Sequence, residues 1–449
     1  MTMKMNRVAI LTLAAIPLVL TGCSAGASSS SGSATTLSYG LWDANQLPAY
    51  QQCATDFHKA NPKITIKVEQ LGWDDYWNKI NTGFVSGENY DVFTSHLANF
   101  PEFMLNKQIL PLDDYIKADG VDLGAYQPGL ADLWKGSDGK QYGLPKDFDT
   151  IAMFYNKQLT DKAGLTADQL SSLDWNPTDG GSYEAAIAHL TVDTKGVRGD
   201  EAGFDKKHVA TYGIWMENSG GGDGQTQWSF LAHTTGWNET NGAWGDKYNF
   251  DDPRFQATID WWHSLVEKGY MPSFEAQTGI GWSDQLTAGK VAMASNGSWM
   301  TGSVFGAKSA TFTPAVAPTP TGPSGKRASM FNGLADNIWA GTKHPDEAWK
   351  WVKYLGSLDC QSVVAQAAVV FPAIPAATDA AVAAFKAKGV DVNAFTTQVT
   401  DKTTFLYSIT DHRSDVTALI TPAMEAVMSG KAKASSLTAV NKQINALFK

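Results

Sequence analysis

No stretch beyond the first twenty residues is long and apolar enough to cross a membrane, and basic residues are in deficit: 35 Lys and Arg face 45 Asp and Glu, a net charge of −10. A chain without a basic patch offers nothing to a phosphate backbone, so nucleic acid is excluded as a partner. Neither H-E-x-x-H nor C-x-x-C spacing occurs among the three cysteines and eight histidines, which removes support for metal hydrolysis and for a bound metal or other cofactor. The glycine run in Asn218 to Gln227 (NSGGGDGQTQ) lacks both a following Gly-Lys-Ser/Thr and the G-x-G-x-x-G spacing, so it is a polar loop and not a phosphate cradle. Internal repeats and a β-rich pattern are missing too, which argues against a lectin-like adhesin. What the chain does have is aromatic: 16 Trp, 14 Tyr and 20 Phe, many beside Gly, Asn or Asp instead of within apolar runs.

The N-terminus pairs a basic start (Lys4, Arg7) with an uncharged run from Val8 to Leu20. That run is shorter than the roughly 20 apolar residues a membrane span needs and reads as a secretory signal. Its Leu20-Thr21-Gly22-Cys23 ending resembles the lipobox of bacterial lipoproteins, which implies removal of residues 1–22 and a lipid on Cys23. The Ser-rich segment 23–36 is then a coil-like tether. Gly22 to Gly26 also matches G-x-S-x-G, but a signal and a coil flank it where a nucleophile elbow requires strand and helix. Cys53 and Cys360 remain. Outside the cytoplasm an even pair is compatible with a disulfide; two buried thiols are the other reading, and the disulfide is favoured.

The remaining length is too great for one core of ordinary size, so two domains are expected. Leu37, Tyr39 and Leu41 alternate as in a strand, and Leu47, Tyr50, Ala54 and Phe57 follow at helical spacing until Asn61-Pro62. Ile64, Ile66 and Val68 alternate again, Asp74 is placed to cap a helix burying Trp77, Ile80 and Phe84, and a third strand lies near Tyr90 to Phe93. Strands and helices in this order pair in parallel, and ligands of such sheets bind outside the carboxyl ends of the strands. Trp42-Asp43, Gly72-Trp73 and Ser95-His96 follow the three strands and should share one rim. Further on, Asp252-Pro253 opens a helix with Trp262 on its core face, Pro314 to Gly325 reads as a linker, Asn332 to Ala340 as a strand, and His344-Pro345 starts another helix.

Five phrases, "YDVF…LPLDDYI", "YGLPKDFDTIAMFYNKQL", "FDDPRFQATIDWWHSLVEKGYMP", "AGKVAMASNGSWM" and "GLADNIWAG…HPDEAWKWVKYL", resemble in content and order the bacterial extracellular solute-binding proteins of family 1, the carbohydrate-capturing lipoproteins of ABC importers. The resemblance implies a two-lobed α/β periplasmic-binding-protein-like fold, with 37–146 and 327–372 in one lobe and 147–326 and 373–449 in the other. It puts hinge crossings near Lys146 to Asp149, Lys326 to Met330 and Phe371 to Pro375. It implies an oligosaccharide in the cleft, a permease as partner, a monomeric state, and anchoring at the outer face of the membrane. Ligand-binding residues are expected at Trp42, Asp43, Trp73, His96, Asn99, Phe148, Asp149, Trp215, Glu217, Trp282, Trp299, Asn332, Gly333, Asp411 and His412, with Trp299 as the principal stacking ring. The reading has a chemical basis of its own, because pyranose C–H faces suit aromatic platforms and their hydroxyls suit Asp, Asn, His and Glu. An extracellular glycoside hydrolase is the rival, which would need two carboxylates about 5 to 9 Å apart across the scissile bond.

Overall fold

A computed structural model describes residues 34–216 and 224–449; the expected signal, Cys23 and Glu217 lie outside the described residues. The first unit starts with β1 (Thr35–Leu41), α1 (Leu47–Ala60), β2 (Ile64–Gln70), α2 (Trp73–Ser86), β3 (Val92–Ser95) and α3 (Phe100–Leu105). In β1 the alternating Leu37, Tyr39 and Leu41 are buried, and β1 pairs in parallel with β2 on one side and β3 on the other, as the helical crossovers require. α2 begins two residues earlier than the sequence suggests: Gly72, not Asp74, is its N-cap, which moves Trp73 into the first turn and puts Asp74 and Asp75 beside the positive end of the helix dipole.

β4 (Leu144–Asp149) and β5 (Ile151–Asn156) are separated by Thr150 alone, yet they belong to different sheets. The second unit adds β6 (Val192–Asp193), β7 (Val209–Met216), β8 (Val291–Gly297) and β9 (Pro314–Ala317), and the chain returns in β10 (Ser329–Ile338), β11 (Phe371–Pro372) and β12 (Thr404–Leu406). The first sheet runs β11-β4-β10-β3-β1-β2 with β12 beside β10; the second runs β6-β7-β8-β5-β9. Two lobes follow: one buried cluster centres on Tyr39, Phe93 and Trp351 and continues through Phe154, Trp215 and Trp282 on one face of the second sheet, and another gathers Trp228, Phe255 and Trp262 in the second lobe. The helix Pro253–Glu267, capped by Asp252, buries Trp262 as its spacing requires.

The lobe boundaries differ from those expected. Residues 147–149 stay in the first sheet through pairing with β10 and β11, so the first crossing falls at Thr150. The second lies between Ala317 and Ser329. The third is not at Phe371 to Pro375: the helix Pro375–Ala387 packs back on the first lobe through Ala377, Ala381 and Phe385, and β12 still pairs with β10. The helix Asn393–Thr400 then touches the second lobe, with Phe395 5.6 Å from Phe154 of β5, before β12 returns to β10; after Leu406 the helices Arg413–Met428 and Leu437–Ile444 bury Val416, Ile420 and Leu437 in the second lobe.

Cys53 of α1 is bonded to Cys360 of the helix Leu358–Ala367, with their Cα atoms 5.3 Å apart. The bridge joins residues 307 apart in sequence and both within the first lobe. Cross-linking so long a loop stabilises by about 2–5 kcal/mol.

Candidate functional site

The carboxyl ends of β1, β2 and β3 converge as the parallel order dictates. Ring centroids of Trp42 and Trp73 are 5.1 Å apart, and His96 lies 6.3 Å from the first and 5.6 Å from the second. Tyr76 and Trp77 of α2 back this wall against Trp42. Trp73 remains 47% exposed, which is unusual for so large an apolar surface and leaves it free to cover a ligand. Asp43, half-buried beside Trp42, accepts from the Asn45 backbone and from Gln46 Nε2.

The hinge carries the site on from there. In β10, Asn332 pairs in register with Asp149 of β4, and its Nδ2 stands 3.1 Å from His96 Nε2. Asn332 Oδ1 is buried with no hydrogen-bond partner among the described residues. Asp149 accepts a hydrogen bond from Ser298 Oγ and another from the backbone N–H of Trp299. Burial pushes its carboxyl up to about 7; the Ser298 bond opposes that rise and the charge of Asp43 adds to it. A carboxyl near that value supplies either a donor or an acceptor to a ligand hydroxyl. Burial, with a further contribution from the charge of Arg413, lowers His96 to about 4, so the imidazole is neutral at pH 7.

Trp299 follows β8 in a short 3-10 turn, and its half-buried indole lies flat on Gly297: a Cβ added there would come within 1.8 Å of the ring. Glycine is therefore required for this ring position. Trp42, Trp73, His96 and Asn332 of the first lobe are thus linked by side-chain contacts, and Asp149 of β4 is hydrogen-bonded to Ser298 and Trp299 of the second lobe. Asn99 stands half-buried at the N-terminus of α3, without a side-chain bond to the helix.

Five expected site residues are elsewhere. Phe148 alternates with Asp149 and faces the opposite side of β4, stacked on Phe371 and edge-on to Phe331, where it lines a cavity of about 660 Å³ behind the hinge. Gly333 shares that face; a Cβ there would meet Leu130 at 2.8 Å. Trp215 and Trp282 are core residues, 4% and 3% exposed, packed with Phe154 between the second sheet and the helix Trp282–Thr287. His412 turns outward to Asp415 and Phe448. Asp411 is half-buried, with Oδ1 enclosed and unpartnered among the described residues.

Sequence reasoning missed a polar group next to these. Tyr407 places its ring 5.8 Å from His96, and the buried Arg413 donates from Nη1 to Tyr248 OH at 3.2 Å and lies 3.7 Å from Glu239 Oε1. Burial raises Glu239 to about 7 and lowers Arg413 to about 10. Arg413 directly follows the expected Asp411-His412 pair, so the signal was one residue away. At the end of the polar loop Gln225, Thr226 and Gln227 are buried; the Thr226 carbonyl accepts from Ser295 Oγ of β8, on the strand that leads to Trp299.

Residues 52–392 match the family model of the bacterial extracellular solute-binding proteins. The chain belongs to that family. Among curated relatives, this solute-binding protein is 25% identical over 319 residues to the maltodextrin-binding protein of Bacillus subtilis, covering 65% of this chain and 68% of that one. The arabinooligosaccharide-binding protein of the same organism is 26% identical over 174 residues, 38% of this chain and 40% of its own length. Among solved structures, the ABC substrate-binding protein of Listeria monocytogenes in complex with cycloalternan superposes with a TM-score of 0.75 at 20% identity, over 92% of this chain and 98% of that one. The sugar-binding protein of Xanthomonas citri gives a TM-score of 0.68 at 20% identity, over 92% and 97%. The fold is thus the two-lobed α/β fold of periplasmic binding proteins, and the family binds solutes without transforming them.

Proposed function

We propose that this protein captures an oligosaccharide between its lobes and delivers it to the permease of an ABC importer, held at the outer face of the membrane by a lipid on Cys23. The observation that carries the reading is the pairing of two aromatic platforms on different lobes, Trp73 with Trp42 and Trp299 on Gly297, around Asp149, Asn332 and His96. Rings stack on the C–H faces of pyranoses, and the polar side chains fix their hydroxyls. The names of the Bacillus subtilis relatives, both oligosaccharide binders, support the same ligand class. Several rings along one cleft suit a chain of sugar units better than a single one.

A glycan array probed with the mature protein tests the proposal. Saturable binding to a related set of oligosaccharides is expected; binding to no glycan contradicts it. For the anchor, Cys23→Ser is expected to release the protein from membranes into the medium, and retention on membranes would refute the lipid.

A further inference from the structure

Outside the hinge the lobes also touch at the α3 end of the cleft. The loop from Thr240 to Tyr248 is a hairpin tied by a backbone bridge between those two residues, and Trp244 stands at its tip. Trp244 donates from Nε1 to the Lys135 carbonyl at 2.8 Å and sets its ring 6.0 Å from Phe100, both in the first lobe. Its own backbone N–H is held by the Ile409 carbonyl at 2.7 Å. Beside it Ser414 Oγ donates to Glu102 Oε2 of α3 at 2.6 Å.

Two features set this contact apart from incidental packing. Among the described residues five non-glycine residues have positive φ, and two of them are Trp244 (+53°), at this contact, and His412 (+57°), two residues before Ser414 in the chain. Sparsely populated backbone conformations persist where surrounding contacts enforce them, and they concentrate at clamps and switches. The contact is also contiguous with the site: Phe100 is four residues beyond His96, and Ile409 two beyond Tyr407, the residue that meets His96 from the other lobe.

We propose that Trp244 and Ser414 clasp the two lobes and seal the cleft at its α3 end, which makes Trp244 a determinant of specificity: the site takes the terminus of an oligosaccharide and excludes a chain that would run past α3. The clasp also holds the lobes together, so it slows ligand release. The specificity claim deepens the oligosaccharide reading and rests on it. The lobe-holding claim does not.

The test uses the mature protein carrying Trp244→Gly and Ser414→Ala, since glycine accepts the positive φ and leaves the hairpin backbone unstrained. Without any glycan, small-angle scattering should give a larger radius of gyration for the variant than for the wild type. Equal radii overturn the clasp. With the best glycan from a panel of malto-, arabino- and mannooligosaccharides of two to seven units, the variant should release ligand about tenfold faster or more, as expected from loss of two hydrogen bonds and one ring contact. It should also tolerate a bulky fluorophore on the terminus that the wild type rejects. Unchanged release and unchanged rejection overturn the specificity claim. If no glycan binds the wild type, the oligosaccharide reading fails and scattering alone decides the clasp. If the double variant melts well below the wild type, Trp244→Phe, which removes only the bond to Lys135, should still speed release and raise the radius, and no change in either overturns the proposal.

Discussion

At residue scale the cleft depends on a side chain that is absent. Because the Trp299 indole rests on Gly297, Gly297→Ala should displace the ring without touching either core, and weaken glycan binding about tenfold while the melting temperature stays close to wild type. Trp299→Ala should cost about 2 kcal/mol or more, a loss of roughly thirtyfold. Trp262→Ala, by contrast, should destabilise by about 3–5 kcal/mol, because that indole is 1% exposed in the second core. Titration calorimetry beside thermal melts separates these outcomes; normal binding by a folded Trp299→Ala would move the site elsewhere. Asp149 gives a pH prediction. Its folded pKa, about 7, lies above that of an unfolded Asp, about 4, so between these values the folded state keeps a proton the unfolded state has lost. The contribution of Asp149 is present below pH 4 and is lost as pH rises to 7, at up to about 1.4 kcal/mol per unit. Glu239 acts in the same direction, and His96, lowered to about 4, in the opposite one. Urea unfolding of Asp149→Asn beside wild type isolates the single group: the variant should gain relative stability steadily from pH 4 to 7, and parallel curves would contradict the assignment. The rim trio Trp42, Trp73 and His96 was legible because Trp42 and His96 directly follow β1 and β3 and Trp73 opens the helix three residues after β2. Trp215 and Trp282 were not, since a tryptophan near a strand end or helix start reads as cleft or core until packing decides. Phe148 and Asp149 were placed together although adjacent strand residues face opposite sides.

At element scale the hinge strand β4 carries a buried cation. Lys146 Nζ donates to Thr94 Oγ1 at 2.7 Å and Tyr39 OH at 3.0 Å, lies 3.3 Å from Asp336 Oδ1 of β10, and sits 4.2 Å over the Tyr50 ring. The group ties β4, β1, β3 and β10 together next to the crossing at Thr150. Removing one partner of a buried pair strands the other, so Lys146→Met should lower unfolding free energy by about 3–5 kcal/mol, and adding Asp336→Asn should restore part of the loss. Denaturant titration checks this; additive losses would show that the two groups are not coupled. The parallel β2-β1-β3 order was readable from alternating strands and intervening helices. The third hinge crossing was not, because Phe371-Pro372 looks like an exit while the helix after it buries Ala377, Ala381 and Phe385 against the first lobe, a contact between segments that only the folded chain brings together.

For the whole molecule, the two-sheet architecture follows from residues that change sheet across one hinge: Thr150 between β4 and β5, the link from β9 to β10, and the segment after β12. Such crossings let the lobes rotate about short segments without disturbing either core, which suits closure on a ligand. The site was half legible for the same reason. The first-lobe rim comes from consecutive strand ends, whereas Tyr407, Glu239 and Arg413 reach it from distant segments of the chain. The most direct test of the account is titration of the best array glycan into the mature protein, with scattering on the same samples and chromatography of the glycan after prolonged incubation. Saturable binding, a radius of gyration that falls or holds at its closed value as sites fill, and recovery of the glycan intact are predicted. Products accumulating in proportion to protein, or saturation with the lobes moving apart, would contradict capture of an intact oligosaccharide between the lobes.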